Sequence, residues 1–171
     1  MTKDFIPLNI AILTVSDTRD LTNDKSGDVL KDMITTDGHF IFDRAIVKDD
    51  QAAITKCLQN WIQNPDIDVI ISSGGTGLTG RDVTPEAFES MYDKAIPGFG
   101  ELFRHLSFDK IGASTIQSRA TAGLAGGTYL FALPGSTSAC KDGWEMILRH
   151  QLDNRSTPCN FVSLMPRLQE T

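Results

Sequence analysis

Residues 72–87 read SSGGTGLTGRDVTPEA and follow the apolar run IDVII. The four glycines leave backbone N–H groups open to close approach by an anion, and successive amides of this kind form a nest for phosphate oxygens. Arg81 and Asp82 come at once after the last glycine. A carboxylate in such a loop repels a bare phosphate but can hold magnesium that bridges phosphate oxygens. These residue types suit a phosphorylated ligand taken up with a divalent cation. The competing explanation is a glycine-rich turn that serves chain geometry alone.

Two familiar phosphate motifs fail here. Residues 75–80 satisfy G-x-G-x-x-G, but a dinucleotide site opens its helix near the third glycine and places an acid after the next strand, roughly 20 residues on. In this chain the helix signal starts later, and the nearest such acid, Glu101, falls in a turn entering another helix. A P-loop needs Lys-Ser/Thr where Arg81-Asp82 stands. Two other places could share the ligand. Asp49 reads from its position as a helix N-cap together with Asp50, with a second carboxylate for the same cation as the alternative. Pro134-Gly135-Ser136-Thr137 offers an anion site at a helix N-terminus, or ordinary capping by Ser136 or Thr137.

The elements that must position these groups are legible from periodicity. Residues 9–15 (NIAILTV) and 67–71 are short apolar runs rich in β-branched residues, as in strands covered on both faces. Residues 40–47 and 129–133 read as further strands. Ser26 can cap a helix bearing Val29, Leu30, Met33 and Ile34, ended by Gly38. Asp50 begins an amphipathic helix with Ile54, Cys57, Leu58, Trp61 and Ile62 on one stripe. Thr84 is the expected N-cap and Pro85 the first residue of a helix that buries Phe88, Met91, Tyr92 and Ala95. PGFGE (97–101) reads as a turn before a helix with Leu102, Phe103 and Leu106 inward. Residues 116–125 fit neither template. Ala125-Gly126-Gly127 is a hairpin-like turn, and residues 134–136 open a last helix with Cys140, Trp144, Ile147 and Leu148 inward.

Strands alternating with helices predict an α/β protein: a three-layer α/β/α sandwich with a mostly parallel sheet, in one domain over residues 1–171. Ligands of such sheets sit beyond the carboxyl ends of the strands. The loops 16–27, 48–50, 74–82 and 134–137 gather there.

Bulk properties narrow the function classes. The net charge of −6 disfavours nucleic-acid and anionic-membrane partners. Three cysteines without C-x-x-C spacing argue against a disulfide framework and for a reducing compartment. The three histidines are far apart, so a zinc site is not expected. The N-terminal apolar run is short for a signal sequence, and no run approaches the roughly 20 apolar residues of a membrane span. A cytoplasmic protein is expected.

SSGGTGLTGRDVTPEA, then PGFGE, then ALPGS, with VSDTR and DKSG near the start, resembles the MoaB/MogA family of molybdenum cofactor biosynthesis. The likeness runs from Ile10 to about Phe161. FRHLSFDKIGASTIQSRATAG and the ending RSTPCNF are more similar to the MoaB branch. The resemblance implies an α/β/α sandwich with a mixed sheet, assembled as a homotrimer or homohexamer. It implies adenylylation of molybdopterin: AMP passes from Mg-ATP to the terminal phosphate of the pterin and pyrophosphate leaves. By that resemblance Asp49 and Asp82 match the acidic positions linked to Mg2+ and catalysis. Gly74, Gly75, Thr76 and Gly77 match the nucleotide and phosphate loop, with Arg81 compensating phosphate charge. Ser16, Asp17, Ser26, Gly27, Pro134, Gly135 and Ser136 match the motifs lining the pterin pocket. The alternative is a non-catalytic molybdopterin-binding carrier of the same pathway, acting with other molybdenum cofactor biosynthesis proteins.

Overall fold

A computed structural model describes residues 3–170. Its centre is a six-stranded sheet in the order β2–β1–β3–β6–β5–β4. The strands are β1 (Asn9–Val15), β2 (Phe40–Val47), β3 (Val69–Ser73), β4 (Lys94–Ala95), β5 (Thr121–Ala125) and β6 (Thr128–Leu133). β2, β1, β3 and β6 run parallel. β5 pairs antiparallel with β6 through the turn at Gly126 and Gly127, and β4 pairs antiparallel with β5 at the edge. The fold is therefore α/β with a mixed sheet.

Alternation along the buried strands divides the core into two layers, because successive side chains point to opposite faces. Ile10, Ile12, Val69, Ile71 and Phe131 face α1 (Lys25–Thr36), α4 (Pro97–Ile111) and α5 (Thr137–Gly143). Ala11, Leu13, Ile70, Leu130 and Ala132 face α2 (Gln51–Ile62) and α3 (Thr84–Glu89). Helices on both faces explain why the central strands are apolar at nearly every position. α5 continues through one π-helical turn, Trp144–Leu148, which puts both Trp144 and Leu148 inside.

Several local expectations are corrected. The N-cap of α1 is Asp24, whose carboxylate accepts from the Gly27 N–H, and Ser26 is already within the helix. Thr84 does not cap α3. Its hydroxyl donates instead to the Gly74 carbonyl at 2.9 Å, and Val83 holds the cap position. β3 starts at Val69 rather than Ile67, because the Ile67 N–H is taken by Asn64 in a turn. PGFGE is the first turn of α4 itself, where the missing N–H of Pro97 is no loss. α3 ends at Glu89, so Ala95 lies exposed in the edge strand β4, and Met91 and Tyr92, beyond the helix, are half-buried against the core layer of α2 and α3. Leu102 is exposed, while Phe103 is buried. The ambiguous stretch takes in the end of a 3-10 segment (Gly112–Gln117) and then β5. Among the described residues no helix is long and apolar enough to cross a membrane.

Candidate functional site

Four parallel strands end on one side, and the loops that leave them enclose a cavity of about 690 Å³. The glycine loop forms one wall because its base cannot be built from larger residues. Gly74 has φ +104°, and a methyl group there would lie 2.2 Å from the Val15 carbonyl oxygen. Gly75 has φ +65°; a methyl there would lie 2.3 Å from Thr84 Oγ1 and 3.0 Å from Asp49 Oδ1. Both backbones occupy the region that side chains with a Cβ rarely adopt. The Gly74 N–H donates to Leu133 O at 3.0 Å and the Thr84 N–H to Gly75 O at 3.0 Å, which anchors the loop to β6 and α3.

At its outer end the loop folds onto Asp82. One carboxylate oxygen accepts from the Thr79 N–H at 2.8 Å and from the Thr79 hydroxyl at 2.6 Å. Those bonds hold the Asp82 carboxyl below its ordinary range, the Thr79 hydroxyl contributing most. Gly77 is small for the same reason: a methyl there would stand 2.8 Å from Asp82 Oδ2.

Asp49 is in the opposite electrostatic condition. Asp50 alone caps α2, accepting from the Ala53 N–H at 2.8 Å, so Asp49 is not engaged in capping. Burial, then the charge of Asp17, then that of Asp82 push its carboxyl up. Asp17 is joined to Arg81 by Nε at 3.1 Å and Nη2 at 2.6 Å, and Asp17 Oδ1 accepts from the Asp49 N–H at 3.2 Å. Arg81 is therefore tied across to the β1 loop and, with Asp17, lies outside the lining of the cavity, whereas Asp49, Asp82 and Gly74 to Gly77 line it.

The remaining expected pocket residues separate into two groups. Ser16, Pro134, Gly135 and Ser136 line the cavity. Ser136 also caps α5, accepting from the Ala139 N–H at 3.1 Å. Ser26 and Gly27 lie beneath it, buried in a polar cluster around Asp24. Asp24 is fully buried and accepts from Thr14 Oγ1 at 2.7 Å and Arg44 Nη2 at 2.8 Å. Burial raises its carboxyl, but Arg44, Thr14 and the Gly27 N–H together bring it below the ordinary value.

Three cations escaped the motif reading. Arg19 lines the cavity and joins Ser26 Oγ at 2.6 Å to Gly135 O at 3.0 Å, which couples the β1 loop to the β6 loop. Lys110 of α4 pairs with Asp142 of α5 at 2.5 Å at the cavity's other end. Arg119 holds the glycine loop from outside. Arg19 stood in the quoted VSDTR segment, and Lys110 and Arg119 in FRHLSFDKIGASTIQSRATAG, where no residue pattern marked a role for them.

Among the described residues no group of three or more His, Cys, Asp or Glu side chains is arranged to hold a metal. Magnesium bound with a phosphate needs only one or two carboxylates, since phosphate oxygens and water complete its shell. Asp49 and Asp82 fit that requirement, and a cation would offset the repulsion that Asp17 and Asp82 exert on Asp49.

A family profile described as "Probable molybdopterin binding domain" matches residues 11–154. The chain is 51% identical over 158 residues to molybdenum cofactor biosynthesis protein B of Escherichia coli K12, covering 92% of this chain and 93% of that one. It superimposes on a crystal structure of a molybdenum cofactor biosynthesis protein B with a TM-score of 0.85 at 38% identity, covering 88% and 94% of the two chains. The tungsten cofactor synthesizing protein MoaB of Pyrococcus furiosus follows at a TM-score of 0.75 and 34% identity, covering 83% and 91%. With the glycine loop, the β6 loop and the sheet that unites them inside the matched span, the chain belongs to the MoaB/MogA family of molybdenum cofactor biosynthesis proteins.

Proposed function

We propose that this protein binds molybdopterin and Mg-ATP and transfers AMP to the terminal phosphate of the pterin. The observation that carries the reading is the meeting of amides and acids on one wall: Gly74 to Gly77 line the cavity together with Asp49 and Asp82. In the reaction an oxygen of the pterin phosphate attacks the α-phosphorus of ATP. The bond from that phosphorus to the bridging oxygen breaks, and pyrophosphate leaves with the electron pair. The attacking phosphate is already ionised, so no general base is needed, and catalysis consists of positioning and charge stabilisation.

The residues of the chain divide this work. The N–H groups of Gly75 and Thr76 receive phosphate oxygens, since that of Gly74 is given to Leu133 O and that of Gly77 to the Asp82 carboxylate, and the tie between Arg19 and Gly135 keeps the β1 and β6 loops at a set separation. Asp82, preorganised by Thr79, and Asp49, whose charge is disfavoured by burial and by Asp17 and Asp82, would hold magnesium. Magnesium bound there supplies charge neutralisation on the α-phosphate and the departing pyrophosphate. A homotrimer or homohexamer belongs to the same reading, supported by the exposed apolar side chains of Phe108, Ile111 and Ile116.

The deciding experiment mixes the purified protein with molybdopterin and Mg-ATP and measures adenylylated pterin and pyrophosphate. Metal-dependent product is expected, and Asp82→Ala is expected to keep pterin binding while losing transfer. Pterin binding without product in the wild type would replace this reading by the non-catalytic carrier.

A further inference from the structure

Arg119 lies between α4 and β5, far from the glycine loop in sequence, yet its polar groups converge on that loop. Its backbone N–H donates to Thr76 O at 3.2 Å. Its side chain donates through Nε to Gly77 O at 2.8 Å and through Nη2 to Asp82 O at 2.7 Å. Nη1 pairs with the carboxylate of Glu86 in the first turn of α3. Arg119 itself does not line the cavity.

The direction of these bonds matters. In a trans peptide the carbonyl oxygen and the next residue's N–H point to opposite sides of one plane. Drawing Thr76 O outward to Arg119 turns the Gly77 N–H the other way, and drawing Gly77 O outward does the same for the Leu78 N–H. The Gly77 N–H is one of the groups that stabilise the Asp82 carboxylate. A guanidinium is a rigid planar fork, so Gly77, Asp82 and Glu86 are set against one template, which a single lysine ammonium cannot reproduce. Glycines in the loop leave these peptide planes free to rotate otherwise.

We infer that Arg119 is a positioning residue for the candidate reaction: from outside the cavity it orients the peptide groups of residues 76–78 and the Asp82 segment so that the loop receives phosphate. This inference rests on the reading of the loop as the phosphate site. It adds a residue for which the motifs predicted no role.

The test compares Arg119→Lys, Arg119→Ala and Glu86→Gln in the full chain, using amide hydrogen exchange and the transfer assay. Arg119→Lys keeps the charge and guards against a variant that fails to fold. In Arg119→Lys, exchange at Gly77 and Thr79, whose N–H groups are held by the Asp82 carboxylate, is expected to rise about tenfold, as loss of charge-assisted bonds implies, with β1 and β3 unchanged. KM for Mg-ATP is expected to rise by a similar factor while KM for the pterin stays. Glu86→Gln, which leaves both carbonyl contacts, is expected to resemble wild type in both measurements. Unchanged loop exchange in Arg119→Lys, or a rise spread over the whole sheet, overturns the inference. A wild-type chain without transfer defeats the reading of the site, and the exchange comparison then still decides whether Arg119 orients the loop.

Discussion

Arg81 and Asp17 close the outer side of the site as a two-bond pair, with Nη2 2.6 Å and Nε 3.1 Å from the same carboxylate oxygen. The pair joins the glycine loop to the loop after β1 and sets the electrostatics of Asp49, whose backbone N–H binds the other Asp17 oxygen. Arg81 thus serves to hold an acid of the neighbouring loop.

Asp17→Asn removes one of the two charges that raise the Asp49 carboxyl. The Asp49 titration midpoint is expected to fall toward the ordinary aspartate value, with burial and Asp82 still holding it partly raised. Carboxyl-resolved NMR titration of the two proteins measures this directly. Arg81→Ala is expected to leave stability nearly unchanged, since the pair is exposed and screened.

Asp49→Asn is expected to abolish transfer and to raise the thermal midpoint at neutral pH. Because the folded-state value of Asp49 is raised, its ionisation weakens the fold as pH climbs from about 4 through that value, and the penalty is complete above it. The gain from the amide stays within about 1 kcal/mol for a partly exposed, screened charge. It should vanish below about pH 4, where the wild-type carboxyl is protonated in both states. Thermal unfolding of both proteins across that range supplies the check.

Asp24→Asn acts in the other direction. The folded value of Asp24 is depressed, so its stabilisation is complete above the ordinary aspartate value and is lost as pH falls through the folded one. Breaking a buried pair leaves Arg44 partly uncompensated, with only Asp28 remaining, and costs about 3 kcal/mol. Urea unfolding at neutral pH should show that loss, and the difference from wild type should shrink in acid.

Gly75→Ala should destabilise the protein by more than about 1 kcal/mol, because alanine must adopt φ +65° and crowd Thr84 Oγ1. Binding of inorganic pyrophosphate with magnesium, measured by calorimetry, should weaken with it. Gly80→Ala is the matched control, since a methyl there meets nothing within 4 Å.

The amino-acid sequence determined by itself the parts whose signal is local. Apolar runs such as NIAILTV marked the covered strands, and the stripe Ile54, Leu58, Trp61 marked α2, because burial imposes a period on consecutive residues. A mostly parallel sheet followed from the alternation of strands and helices, and with it the end of the strands where the glycine loop had to lie. Tertiary structure decided which residues meet. Ser26 and Thr84 looked like caps, yet Asp24 takes the first cap because Thr14 and Arg44 hold its carboxylate there, and Thr84 turns to Gly74 because the loop folds back on it. The charge on Asp49 depends on Asp17 and Asp82, which come from other loops. Arg119 stands 42 residues from Gly77 and 37 from Asp82 along the chain, and its donors find them only once β5 lies beside β6. Hydrogen-bond partners brought together by sheet pairing leave no periodic trace in sequence, so the chemistry types were legible and the alignment of the site was not.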